Sequence, residues 1–157
     1  MIGVSKLYCG AVEAGDVLRY RDRRAQDLPS HLLQFSADKK PVVVWNVTRQ
    51  CNLKCLHCYA KATAGAAVDE LGHAEGLALL RDLKDFGVPV VLFSGGEPLM
   101  RPDLPELVSF TVTQGMRAVI STNGTLIDRE RARQLSDLGL SYVGISLDGT
   151  AATHDRF

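Results

Sequence analysis

Three cysteines stand close together in Cys51-Asn52-Leu53-Lys54-Cys55-Leu56-His57-Cys58, and the fourth, Cys9, lies far upstream. Cysteine thiolates are the usual ligands of a cubane iron–sulfur cluster, which has four irons. Three local thiols leave one iron without a protein ligand, and an open coordination position lets a metal site do chemistry rather than only brace a fold. The alternative is structural zinc, which wants four ligands and could recruit His57 or His73. Zinc sites commonly come as two separated Cys/His pairs, and no second pair follows, so ligand count and placement favour the cluster. Three buried thiols without metal fit poorly, because Asn52 and Lys54 mark an exposed loop. Clustered rather than scattered thiols also point to a reducing compartment instead of a disulfide framework. Cys9 reads as a small buried hydrophobe and receives no role.

Further polar groups follow apolar runs. Phe93-Ser94-Gly95-Gly96-Glu97-Pro98 puts two glycines and a carboxylate at a strand terminus. Glycines there let a ligand approach the main chain, and Glu97 could accept hydrogen bonds from an ammonium group. Ser121-Thr122-Asn123-Gly124 and Ser146-Leu147-Asp148-Gly149 offer small hydrogen-bonding side chains suited to ribose hydroxyls or a carboxylate. Taken singly, the Gly95-Gly96 segment is better explained as an ordinary turn between strand and helix, and the other two are explained about as well as Asx- and Gly-based turns leaving strands.

The elements that must position these groups read as alternating strands and helices. Val42–Trp45, Val88–Phe93, Ala118–Ile120 and Tyr142–Ile145 are nearly unbroken apolar runs, which predicts parallel strands covered on both faces. Leu79, Leu83 and Phe86 share one helical face, as do Leu104, Leu107 and Val108. A third helix is predicted from Asp128 as N-cap to Gly139, with Leu135 and Leu138 inward. Strand–helix alternation with right-handed crossovers specifies an α/β protein, either a doubly wound sheet or part of a (βα) barrel. The cysteines then sit on the loop after the first strand, at the carboxyl end where barrels carry their catalytic groups. Residues 1–40, with the polar run Arg19–Arg24, read as a lead-in segment before a domain over 41–157. The fourth strand would be left as an apolar edge, and a complete barrel takes about 250 residues. The expectation is a fragment truncated after about the fourth strand.

The chain of 157 residues is 46% hydrophobic and 23% charged, the make-up of a soluble globular domain. Eighteen basic residues balance eighteen acidic ones, which removes the field a nucleic-acid or anionic-membrane binder relies on. With neither a signal-peptide pattern nor a run of eighteen apolar residues, the reading is cytoplasmic.

Cys-x3-Cys-x2-Cys after the first strand resembles the signature of the radical S-adenosylmethionine (SAM) superfamily. That resemblance implies a partial TIM-type (βα) barrel and a [4Fe–4S] cluster on Cys51, Cys55 and Cys58. It also implies that the amino nitrogen and carboxylate of SAM fill the open iron, and that His57 stands against the adenine. Gly95-Gly96-Glu97-Pro98 resembles the family's GGEP motif, which implies backbone and Glu97 contacts to the methionine ammonium. Thr122-Asn123-Gly124 and Ser146-Leu147-Asp148-Gly149 occur similarly in members with a SPASM extension, implying SAM contacts at Asn123 and Ser146. Four strand ends thus match over residues 41–157. Residues 1–40 with Val42–Asn46 further resemble the tetrapyrrole-modifying branch, the NirJ group of haem d1 synthesis and the 12,18-didecarboxysiroheme deacetylases. Membership implies reductive cleavage of SAM to a 5′-deoxyadenosyl radical, an iron tetrapyrrole substrate attacked at acetate side chains, and an electron donor such as ferredoxin or flavodoxin. Two alternatives stay open here: a peptide-modifying SPASM-type enzyme and a non-catalytic, zinc-stabilised binding module.

Overall fold

The computed structural model describes residues 40–156 except Ala66 and Val68. The lead-in segment before Lys40 and Cys9 lie outside the described residues. Four strands, β1 (Val43–Thr48), β2 (Val90–Gly95), β3 (Arg117–Thr122) and β4 (Tyr142–Ile145), form one parallel sheet in chain order. Between them run α1 (His73–Phe86), α2 (Leu104–Thr113) and α3 (Arg129–Asp137), and a short α4 (Ala151–His154) follows β4. This is the predicted α/β alternation, with every crossover made through a helix.

Register explains which face is covered. Trp45, Phe93, Ile120 and Val143 form one row across all four strands. The first three of these are buried, and with Val47, Val91 and Ala118 they build the core against Leu80, Leu107, Val108 and Leu135 of the helices. A fully buried Leu such as Leu80 or Leu107 contributes about 1.5–3 kcal/mol through the water it no longer orders. The neighbouring row, Val44, Leu92, Val119 and Tyr142, points the other way. Its two outer members are 56% and 48% exposed. The expectation of strands covered on both faces therefore holds for one face only among the described residues.

Local chemistry sets the helices. The predicted α1 stripe holds in part: Leu79 and Leu83 are partly buried against the core, Gly76 and Leu80 are the fully buried positions, and Phe86 is exposed beneath the ammonium of Lys40. Gly76 sits where the Trp45 indole needs room, since a Cβ there would lie 2.9 Å from the ring edge and 3.1 Å from Leu107. In α2 the predicted stripe holds, with Leu104, Leu107 and Val108 all buried. Asp128 caps α3 as expected, its side chain accepting from the Arg131 N–H at 2.7 Å. Leu135 is buried and Leu138 is partly buried against the core.

Candidate active site

The cysteines, Gly95-Gly96-Glu97, Thr122-Asn123 and Ser146-Leu147-Asp148 lie at or just beyond the carboxyl ends of the four strands. The loop after β1 is anchored at its base by β2. The Gly96 N–H donates to Thr48 O at 2.7 Å and the Glu97 N–H to Gln50 O at 2.8 Å, while Cys51 N–H and Thr63 N–H close the far side onto Thr63 O and Arg49 O, each at 2.9 Å. This explains the paired glycines. A Cβ on Gly95 would stand 2.3 Å from Thr48 O, and one on Gly96 2.4 Å from Gln50 O and 2.7 Å from Arg49 O. The close approach they allow is first of all to the protein's own main chain. Gly95 also adopts φ +134°, a conformation strained for residues with a side chain.

Glu70 steadies the same loop, accepting from Arg49 N–H at 2.7 Å, Ala67 N–H at 2.9 Å and the Thr48 hydroxyl at 3.1 Å. Burial pushes the Glu70 carboxyl up, but these three donors and the Arg101 charge together hold it below the usual carboxylate range. Arg101, which sequence reasoning missed, is buried. It donates to Val47 O at 2.7 Å and Leu71 O at 2.9 Å and pairs with Asp103 at 2.8 Å. Its signal was a lone arginine inside the apolar run Pro98–Pro102.

Cys51, Cys55 and Cys58 are half-buried free thiols on this loop. Main-chain N–H groups face two of them: Leu53 N lies 3.4 Å from Cys51 Sγ and Ala62 N 3.5 Å from Cys58 Sγ. Among the described residues no three His, Cys, Asp or Glu side chains converge to hold a metal ion. The fit to a [4Fe–4S] cluster therefore rests on the donor set: three thiols on one strand-end loop, two of them met by main-chain N–H donors of the kind that tune cluster thiolates. His73, a possible fourth ligand in the zinc reading, is instead held between Asp103 Oδ2 at 3.1 Å and Glu106 Oε2 at 3.3 Å.

Glu97 differs from the expectation of a carboxylate presented to an ammonium. Its side chain is fully buried. Oε1 accepts from Leu99 N–H at 3.0 Å and from the Thr122 hydroxyl at 2.7 Å, and Oε2 accepts from Asn123 N–H at 2.8 Å. The carboxylate ties the end of β2 to the end of β3, and the groups of this motif left near the opening are the half-buried Gly95 and Gly96. Asn123 is partly buried and bonded to protein partners. Its Oδ1 accepts from the Thr125 N–H and hydroxyl, and its Nδ2 faces Asn52 Oδ1 at 2.9 Å and Cys51 Sγ at 3.9 Å.

The end of β4 is more open. Ser146 is exposed, its N–H donating to Thr122 O at 3.0 Å. His57, on the cysteine loop, places Nε2 3.5 Å from Asp148 Oδ1, and His154 Nδ1 lies 3.3 Å from Asp148 Oδ2. Beside β1 a cavity of about 420 Å³ is lined by Asn46, Thr48, Tyr59, Glu70 and Gly95 among others, within the size range of small-molecule sites. The Tyr59 hydroxyl reaches Ser94 Oγ at 3.2 Å.

Residues 45–157 match the family described as the Radical SAM superfamily. The chain is 66% identical over 157 residues to Fe-coproporphyrin III synthase of Methanosarcina barkeri, covering all of this chain and 39% of that protein. It is 46% identical over 121 residues to pre-heme d1 synthase of Dinoroseobacter shibae, covering 75% of this chain and 29% of that protein. The chain thus spans well under half the length of either relative. Among solved structures it is similar to BtrN in an open conformation, with TM-score 0.61 and 26% identity over 73% of this chain and 54% of that one. With the cysteine loop after β1, the glycine pair after β2 and the parallel sheet that carries them, this chain belongs to the radical SAM superfamily.

Proposed function

We propose that the protein containing this chain is a cytoplasmic radical SAM enzyme that modifies side chains of a siroheme-derived iron tetrapyrrole in alternative haem or haem d1 biosynthesis. The observation that carries the reading is the cysteine loop: three half-buried thiols held at a strand's carboxyl end by the Gly96 and Glu97 N–H groups. A reduced [4Fe–4S] cluster, when bound, would supply the one electron that cleaves the S–C5′ bond of SAM, giving methionine and a 5′-deoxyadenosyl radical that takes hydrogen from the substrate.

Cys51, Cys55 and Cys58 hold the cluster. The main-chain oxygens of Gly95 and Gly96 and the exposed Ser146 are the proposed partners of the amino-acid and ribose parts of SAM, and His57 is the proposed partner of the adenine. His57 and Asp148 link the loops after β1 and β4. The names of the two relatives support the substrate class, since both denote synthases of haem-type tetrapyrroles. Acetate side chains are the proposed target, and a ferredoxin or flavodoxin the proposed electron donor.

The test is anaerobic turnover by the reconstituted full-length enzyme with SAM and reductant, with and without siroheme derivatives. The reading expects 5′-deoxyadenosine whose formation rises with the tetrapyrrole, together with a changed tetrapyrrole absorption spectrum. An unchanged spectrum and unstimulated cleavage would reject the substrate; no 5′-deoxyadenosine under any condition would reject the chemistry.

A further inference from the structure

Asn123 has its whole hydrogen-bonding capacity engaged inside the protein. A side-chain amide offers two N–H donors and two oxygen lone pairs. Here both lone pairs accept from Thr125, one from its N–H at 2.9 Å and one from its hydroxyl at 2.7 Å. The amide nitrogen faces Asn52 Oδ1 at 2.9 Å and Cys51 Sγ at 3.9 Å. Asn52 in turn donates to the Thr125 hydroxyl at 2.8 Å. Three polar side chains from two loops, about seventy residues apart in sequence, therefore close a small lattice beside the first cysteine. Glu97 sets its far end by accepting the Asn123 N–H at 2.8 Å and the Thr122 hydroxyl at 2.7 Å.

We infer that Asn123 is a positioning residue of the metal loop rather than a SAM ligand: it fixes Asn52 and directs an N–H at the Cys51 sulfur. The inference rests on the radical SAM reading of Cys51, Cys55 and Cys58. An N–H aimed at a thiolate draws charge from sulfur, favours the reduced cluster and so raises its reduction potential. The tie to Asn52 acts separately, by keeping the loop that carries the thiol against the end of β3.

The experiment uses the full-length enzyme, reconstituted anaerobically, with the midpoint potential read by electron paramagnetic resonance (EPR) during a redox titration and cluster loss followed under chelator challenge. Asn123→Asp keeps an oxygen for Thr125 but places lone pairs where Asn52 and Cys51 now meet N–H. It is expected to shift the midpoint to more negative potential and to speed cluster loss about tenfold. Asn52→Ala leaves the Glu97 and Thr125 bonds to Asn123 intact, and it too is expected to lose its cluster faster. This second variant decides the matter where Asn123→Asp yields no cluster. A purely structural role for Asn123 would lower the melting temperature and leave the midpoint where it is. Unchanged midpoint and unchanged cluster loss would overturn the inference, whereas a wild-type enzyme that assembles no cluster would overturn the reading beneath it.

Discussion

The loops after β2 and β3 carry small polar and acidic residues beside glycine, and so does the loop after β4, yet the two regions use them differently. At β2 and β3 the side-chain groups of Glu97, Thr122 and Asn123 are bonded to other parts of the protein. Glu97 is fully buried and Thr122 is 2% exposed. At β4 Ser146, Leu147, Asp148 and Gly149 are all exposed, and among the described residues Asp148 links this loop to His57 and His154. The difference teaches that a motif at a strand end can serve two purposes. Residues after β2 and β3 tie the cysteine loop to the sheet, and the groups after β4 stay exposed to solvent.

The sharpest way to break this contrast is at Glu97. Glu97→Ala leaves the Thr122 hydroxyl and the Leu99 and Asn123 N–H groups buried without their acceptor, a cost on the order of 4 kcal/mol. Denaturant unfolding of the full-length protein should show that loss, and an unshifted midpoint would refute the tie. Gly96→Ala comes next, at about 3 kcal/mol, because its Cβ meets the main-chain oxygens of Arg49 and Gln50 rather than a side chain that could swing away. The same variant should assemble less iron and sulfide, since the loop it displaces carries the thiols.

A smaller effect is expected from acid. The Arg101 hydrogen bond, helped by its charge and by His73 and opposed by burial, holds the Asp103 carboxyl below its ordinary value of 3.8. A depressed carboxylate pKa adds stability that is present above the unfolded value and is lost as pH falls through the folded one. Unfolding midpoints measured downward from about pH 5 should therefore fall more steeply for wild type than for Asp103→Asn, and parallel curves would contradict the Arg101 brace. The smallest stability change belongs to Ser146→Ala, within about 0.5 kcal/mol for an exposed site. Its SAM affinity should nonetheless weaken about fivefold, the value of one lost hydrogen bond, as calorimetry of the anaerobic holoenzyme would show. An affinity that does not change would remove Ser146 from the site.

Much of this architecture is legible before folding is considered. Apolar runs locate all four strands, and the Asp128 cap and Leu135 locate α3, because both signals are local. The centre of the α1 stripe is missed for a physical reason: buried Gly76 has no side chain to register as apolar, and the partner that needs the space, Trp45, lies on another element. Likewise β1 runs on to Thr48 although its apolar run stops at Trp45. Asn46 faces away from the core and Thr48 bonds to Glu70, so neither residue needs to be apolar. The cysteines and glycines of the site are visible as a spacing. The burial of Glu97, the tie of Asn123 to Asn52, and the links Asn52–Thr125 and Arg101–Val47 depend on partners 25 to 73 residues away, which no local pattern records.

The most direct test of the central claim is anaerobic iron and sulfide analysis of the full-length protein, with EPR of the dithionite-reduced sample before and after adding SAM. The account predicts a cubane signal that shifts when SAM is added and that disappears when Cys51, Cys55 and Cys58 are replaced by Ala. Bound zinc in place of iron, or a cluster signal indifferent to SAM, would contradict it and return the three cysteines to a structural role.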